Sequence, residues 1–71
     1  MTVNDIISKM HAARKTTIIS LYRKDVGLLF KAPAKSPVFC IAHWANAEVL
    51  DIDFSIADCI DYDVEMELII K

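Results

Sequence analysis

The sequence predicts an α+β fold in which an N-terminal helix packs on a small, largely antiparallel sheet. Three observations support this prediction: a helical apolar stripe at the start of the chain, a β-branched segment with a returning partner in its middle, and a long alternating segment at its end. The 71 residues make a single small domain, because a chain of this length builds no more than one hydrophobic core.

The first element is a helix predicted over residues 3–12. Its apolar residues recur at the helical spacing i, i+3, i+4, i+7, namely at Val3, Ile6, Ile7 and Met10. Thr2 precedes this stripe and Asp5 follows it three residues later, which is a capping box with Asp in place of the usual Glu.

A β-hairpin is predicted next. The segment TTIISLY, residues 16–22, is β-branched and aromatic and therefore favours a strand. The turn RKDVG follows, and GLLFKA, residues 27–32, is the returning strand. The stretch PAKSP, residues 33–37, is a break that neither a helix nor a central strand would carry.

The segment VFCIAHW, residues 38–44, is apolar throughout and is compatible with a buried strand or with the start of a helix running into ANAEVL. We favour a strand over residues 38–43 and a turn or short helix around 44–49. The following LDIDFSI alternates apolar and polar residues and predicts a strand over 50–56, although Asp53 could instead cap a short turn running through Cys59.

The strongest strand signal is IDYDVEMELII, residues 60–70, where apolar residues alternate with the acidic face, that is Asp61, Asp63, Glu65 and Glu67. We interpret this face as solvated, with a docking surface for a basic partner and a metal site as alternatives. Successive carboxylates on one strand stand about 7 Å apart, whereas a cation needs oxygens within about 2.6 Å. Basic residues should lie opposite, and the candidates are Arg23, Lys24, Lys31 and the Arg14–Lys15 pair.

Charge is divided unevenly along the chain. Residues 1–35 hold seven basic and two acidic residues, a net +5, whereas residues 36–71 hold one basic and eight acidic residues, a net −7. We expect the two halves to lie beside each other so that their charges pair across strands. Nucleic-acid binding by the basic half is disfavoured because the pI of the chain is about 5.5.

Other classes of protein find little support. The chain opens without the apolar region of a signal peptide, and its longest uncharged run, residues 36–47, is too short for a membrane helix. The single Gly excludes Gly-rich phosphate loops. We therefore expect a cytoplasmic protein, without a membrane partner, whose two cysteines are reduced.

Two Cys and two His suit tetrahedral zinc in number, but their spacing does not. Cys40 and His43 form a Cys-x-x-His, whereas Cys59 and His11 stand alone. A Cys–His nucleophile has the same difficulty and lacks a visible third member. We predict no catalytic residue, no metal ligand and no cofactor, and the Cys is interpreted as a small buried apolar residue.

A contact surface is the remaining prediction. Hydrophobic residues make up 55% of the chain, which is high for a small monomer, so that self-association or an unidentified protein partner is expected. The uncharged segment 36–47 offers the candidate partner surface Phe39, Ile41 and Trp44, since Trp is a frequent hot spot. The alternative is that these side chains fill the core. On the surface hypothesis, Trp44→Ala loosens assembly without unfolding the helix.

The opening MTVNDIISKM, the hairpin TTIISLY with VGLLFKAPA, and the ending IDYDVEMELIIK together resemble small orphan proteins encoded by phages and mobile elements of gut Firmicutes. The resemblance covers about half of the chain. Lys31-Ala32 stands where that family would have Gly, and residues 37–50 have no counterpart. The resemblance implies a provenance and a fold but no activity. The function predicted from the sequence is a non-enzymatic, self-associating protein-interaction domain, with a metal-binding or nucleic-acid-binding accessory protein as the alternative.

Overall fold

The computed structural model describes all 71 residues, which form two short helices and four strands. In chain order these are α1 (Val3–Ser8), β1 (Thr17–Arg23), β2 (Gly27–Pro33), α2 (Ala42–Ala45), β3 (Val49–Cys59) and β4 (Tyr62–Ile70). Single 3-10 turns stand at Ala12–Lys15 and at Pro37–Cys40. The predicted α+β class is confirmed in this general form.

The four strands make one mixed sheet in the order β2-β1-β4-β3. Strands β1 and β2 form an antiparallel hairpin, and β3 and β4 form a second one. The two hairpins meet along β1 and β4, which run parallel. The prediction of a largely antiparallel sheet missed this central pair, because local alternation identifies strands but not the direction in which distant strands pair.

Helix α1 begins as predicted. The Thr2 hydroxyl accepts a hydrogen bond from the Asp5 amide at 3.2 Å, and the Asp5 carboxylate accepts one from the Thr2 amide at 2.9 Å. The predicted end at residue 12 is wrong, since the helix ends at Ser8. The Ile7 carbonyl, which a longer helix would have used, accepts instead from the Met10 amide at 3.0 Å and from the Arg14 guanidinium at 2.7 Å.

The hairpin of β1 and β2 follows the prediction within one residue at its inner ends. Gly27 has φ of +100°, a conformation that side chains with a Cβ rarely adopt, and it closes the turn opposite Arg23. A bulge then shifts the register, so that Leu21 faces Phe30 whereas Tyr22 faces Leu28.

The strand predicted over residues 38–43 is wrong. Residues Pro37–Cys40 form a 3-10 turn and α2 follows at once. The Ser36 hydroxyl caps the turn by accepting a hydrogen bond from the Val38 amide at 3.3 Å, and Pro37 occupies the first position. A capping Ser followed by Pro is a helix-start signal, and in this segment it outweighs the strand preference of the apolar run.

The core lies between one face of the sheet and the helices. It joins Val3 and Ile6 of α1 and Phe39 of the second 3-10 turn to residues of β1 and β4, namely Ile19, Leu21, Met66, Leu68 and Ile70. The aromatic rings of Phe39 and Trp44 extend this layer over β2, where both pack on Phe30 with centroid distances of 5.8 and 5.2 Å. The helices therefore cover β2, β1 and β4.

Candidate interaction surface

The surface with the clearest functional potential is an apolar row on the edge strand β3, formed by Ile52, Phe54 and Ile56. We call it the β3 row. These residues stand opposite Leu68, Met66 and Val64 of β4, so they lie on the helix-bearing face of the sheet. Beyond β4, however, no helix covers that face. The exposed fraction of the side chains accordingly rises along the strand, from 37% at Ile52 through 64% at Phe54 to 90% at Ile56.

The outer edge of β3 is free beside this row. The amides of Ile52 and Phe54 donate to the carboxylates of Asp51 and Asp53, each at 2.9 Å, and therefore point away from β4. In an antiparallel pair the backbone amides of successive residues alternate in direction, so the amide of Asp53, between these two residues, points toward β4. Each aspartate thus caps the exposed amide of the next residue, which is how natural edge strands limit uncontrolled pairing.

The N-terminus ends this free edge on one side. The Val49 amide donates to the Met1 carbonyl at 2.8 Å, and Thr2 pairs antiparallel with Glu48. The terminal ammonium lies 3.5 Å from the Glu48 carboxylate. Beyond Met1 a shallow concavity is lined by four hydrophobic residues and one carboxylate, namely Met1, Val49, Leu50, Ile52 and Asp51. The edge of β3 is consequently open from Leu50 onward.

The predicted acidic face is distributed over a turn and a strand. Asp61 belongs to the turn between β3 and β4, whereas Asp63, Glu65 and Glu67 lie on β4 and face away from the helices. Asp53 of β3 stands directly opposite Glu67. This places two carboxylates in one cross-strand pair, an arrangement that destabilises a sheet.

One basic residue meets the acidic face, as the charge pattern predicts. The Lys31 ammonium of β2 donates to one Glu65 oxygen at 3.0 Å, and the buried Ser20 hydroxyl donates to the other at 3.0 Å. These hydrogen bonds, that of Lys31 first, lower the pKa of Glu65, and Glu65 in turn raises the pKa of Lys31. Desolvation and the neighbouring Glu67 raise the pKa of Tyr22. This cluster holds β2, β1 and β4 together.

The partner surface predicted at Phe39, Ile41 and Trp44 is not a continuous surface. Phe39 is 2% exposed and belongs to the core, and Trp44 is half-buried against Phe30. Ile41 alone is exposed. The alternative that this segment fills the core therefore describes Phe39 and Trp44, because the 3-10 turn and α2 direct both rings onto the sheet.

The chemistry-bearing residues do not assemble into a centre. No three His, Cys, Asp or Glu side chains come together in a group that could hold a metal ion. Cys40 and Cys59 are both free and exposed, so the expectation of buried cysteines is wrong. None of the helices has the length and apolar character needed to cross a membrane.

The β3 row was not among the predicted site residues, although its signal was present. The alternation over residues 50–56 identified the apolar face of the strand. It did not indicate that no helix would cover this face. Comparison with known proteins adds no assignment: no family model matches the chain, and neither the curated proteins nor the solved structures contain a match.

Proposed function

We propose that this protein is a non-enzymatic protein-interaction domain that associates with itself through the β3 row. The observation that carries the proposal is the exposure of Ile52, Phe54 and Ile56 in one line along an eleven-residue edge strand. Contiguous exposed apolar side chains, unlike scattered ones, mark interaction surfaces.

The composition of the chain supports the same conclusion. Hydrophobic residues make up 55% of the sequence, yet only 12 of the 71 residues are buried. Much of this surplus apolar surface lies on β3 and on the turn after it, which together hold five of the nine large exposed hydrophobic residues, among them Ile60 at 99% exposure. A protein that associates through this region removes the surplus from water, at about 25 cal/mol per Å² of apolar surface.

We further propose that the protein belongs to a phage or mobile element and acts in the cytoplasm. The resemblance of the opening helix, the first hairpin and the last strand to small proteins of such elements supports the first part. The two free, exposed cysteines support the second, since disulfides are rare in the cytosol.

Solution mass by light scattering tests the proposal, measured at about 50 mM and about 500 mM salt, since salt screens charge pairing but not apolar contact. We expect the wild-type chain to associate at both. The double variant Phe54→Thr/Ile56→Thr, which keeps β-branched residues on the strand, should be monomeric.

The matched control is Leu28→Thr. Leu28 is also exposed and apolar, but it lies on β2 at the opposite edge of the sheet. This variant should keep the wild-type mass. A wild-type chain that is monomeric at both salts would refute the proposal, and so would a double variant that still associates.

A further inference from the structure

We infer that the occupant of the β3 edge is β3 of a second copy, paired antiparallel about Ser55 to make one continuous eight-stranded sheet. The inference rests on the proposed self-association and specifies its geometry. Four features of the described chain support it: the free edge, the alternation of faces, the positions of the carboxylates and the place of Met1.

The alternation of faces limits how two copies can pair. A two-fold axis perpendicular to the sheet keeps both helix layers on one side, and each residue then lies opposite one of the same face. Such an axis passes beside one residue of β3, which faces its own copy. The regular part of the strand offers six such residues, from Asp51 to Ile56.

Five of these six registers are unfavourable. An axis at Asp51 or at Asp53 places that carboxylate opposite its own copy, and an axis at Ile52 places Asp51 opposite Asp53 of the second copy. An axis at Phe54 places Cys59 of the second copy opposite Val49, where Met1 already accepts the Val49 amide hydrogen bond. An axis at Ile56 places Phe54 opposite Asp58 of the second copy, so that an apolar side chain faces a carboxylate.

The axis at Ser55 opposes no two carboxylates and leaves Val49 outside the paired strands. Its one unfavourable pair is Ile52 with Asp58 of the second copy, and Ile52 is the least exposed residue of the row. Phe54 then faces Ile56 of the second copy, and the two-fold axis repeats this contact, which joins the two most exposed side chains of the row. Asp53 faces Ala57 of the second copy, so no carboxylate opposes another. The two Ser55 hydroxyls meet at the axis, where a cross-strand hydrogen bond between hydroxyl groups is favourable.

The ends of the paired segment also fit. In this register β3 of the second copy ends at Cys59, opposite Asp51, and its turn follows beside the concavity that Met1, Val49, Leu50 and Ile52 line. The exposed Ile60 of that turn is thereby brought next to the concavity, and the two-fold axis repeats this approach.

Pairing requires the amides of Ile52 and Phe54 to replace their hydrogen bonds to Asp51 and Asp53 by hydrogen bonds to the second copy. The Phe54 amide, now bonded to Asp53, would donate instead to the Ile56 carbonyl of the second copy. The exchange replaces one acceptor by another and adds apolar contact. The aspartate caps therefore oppose pairing in general. In the Ser55 register, the contact of Phe54 with Ile56 of the second copy compensates for their loss.

The test uses single cysteines in a Cys40→Ser/Cys59→Ser background with oxidised glutathione. Residues facing each other at a position between the ladder hydrogen bonds have Cα atoms about 4.5 Å apart, within the range of a disulfide. We expect Ser55→Cys to form a covalent dimer. The controls are Asp53→Cys on the same strand and Leu29→Cys on β2, and both should remain uncrosslinked.

Light scattering on the same proteins separates the two levels of the proposal. Association with a Ser55→Cys crosslink supports both. Association without it, or with an Asp53→Cys crosslink instead, overturns the register but leaves self-association standing. A monomer overturns both. If Ser55→Cys fails to fold, hydrogen exchange of the Ile56 amide in the wild-type chain decides: pairing requires slower exchange as concentration rises, and unchanged exchange contradicts it.

Discussion

Strands β3 and β4 are hydrogen-bonded neighbours that carry the same alternating pattern, yet they lie in opposite environments. The apolar residues of β4 are in the core, with Met66, Leu68 and Ile70 at most 3% exposed. Of the residues directly opposite them on β3, Phe54 is 64% exposed and Ile52 is 37% exposed, and only Val49 at the strand's start is partly buried. The comparison shows that alternation determines which side of a strand is apolar, whereas a second layer of structure determines whether that side is buried.

The reason for the difference is the size of the helix layer. Helix α1 has six residues and α2 has four, so they span about 9 and 6 Å. Adjacent strands are about 4.8 Å apart, and a sheet of four strands is wider than these elements can cover. The layer is anchored over β2 by Phe39 and Trp44, which leaves β3 outside it.

The first prediction concerns Met66 of β4 and Phe54 of β3, which stand opposite each other, and it has the largest expected change in stability. Met66→Ala should lower the free energy of unfolding by about 2–5 kcal/mol, because it empties a filled site in the core. Phe54→Ala should cost less than about 1 kcal/mol, since the ring is mostly in water. Urea denaturation at low protein concentration measures both. Equal losses would mean that β3 is covered in solution.

The second prediction concerns the layer that separates the two strands. Trp44→Ala should lower the free energy of unfolding by about 2 kcal/mol, because it removes the ring that packs on Phe30. It should leave self-association intact, unlike the outcome expected if Trp44 faced a partner. Thermal unfolding measures the stability of the variant, and light scattering on the same sample measures its association. A variant that is folded but dissociated would show that the contact surface includes Trp44.

The third prediction uses the carboxylate of β4 that has a basic partner. The pKa of Glu65 is lowered in the folded chain, first by Lys31 and then by Ser20. Its stabilisation is present above the ordinary value of 4.5 and is lost as the pH falls through the folded value below it. Glu65→Gln should cost about 1 kcal/mol at pH 7 and flatten this decline.

Denaturant unfolding between neutral and acidic pH measures the effect. Asp63→Asn is the control, because Asp63 shares the face and strand of Glu65 but makes no ion pair. A decline of stability in acid that persists unchanged in Glu65→Gln would show that the Lys31–Glu65–Ser20 cluster does not stabilise the sheet.

The smallest effect should stabilise the protein. Asp53→Thr removes one carboxylate from the pair that Asp53 and Glu67 form across β3 and β4, and it adds a β-branched residue. The free energy of unfolding should rise by about 0.5 kcal/mol. Asp51→Thr is the comparison, since Asp51 faces the apolar Ile69, and it should stabilise less. The reverse order would show that the two carboxylates do not repel measurably.

The local elements follow from patterns within short stretches of the chain. The capping box fixed the start of α1, the β-branched run and Gly27 specified the first hairpin, and the two alternating segments identified β3 and β4. These features depend on residues within a few positions of one another. The 3-10 turn at Pro37 was mispredicted although its signal, Ser36 followed by Pro37, is also local, because the apolar run was given more weight. The end of α1 was mispredicted because the apolar stripe continues to Met10 beyond the last helical residue, Ser8.

Three features arise from the packing of distant segments: the parallel pairing of β1 with β4, the placement of Lys31 beside Glu65 and the exposure of the β3 row. Each depends on residues tens of positions apart, and no local pattern records which distant segments meet. The candidate surface was therefore visible in the sequence only as an apolar face. It became a surface because a small helix layer covers three strands of a four-stranded sheet.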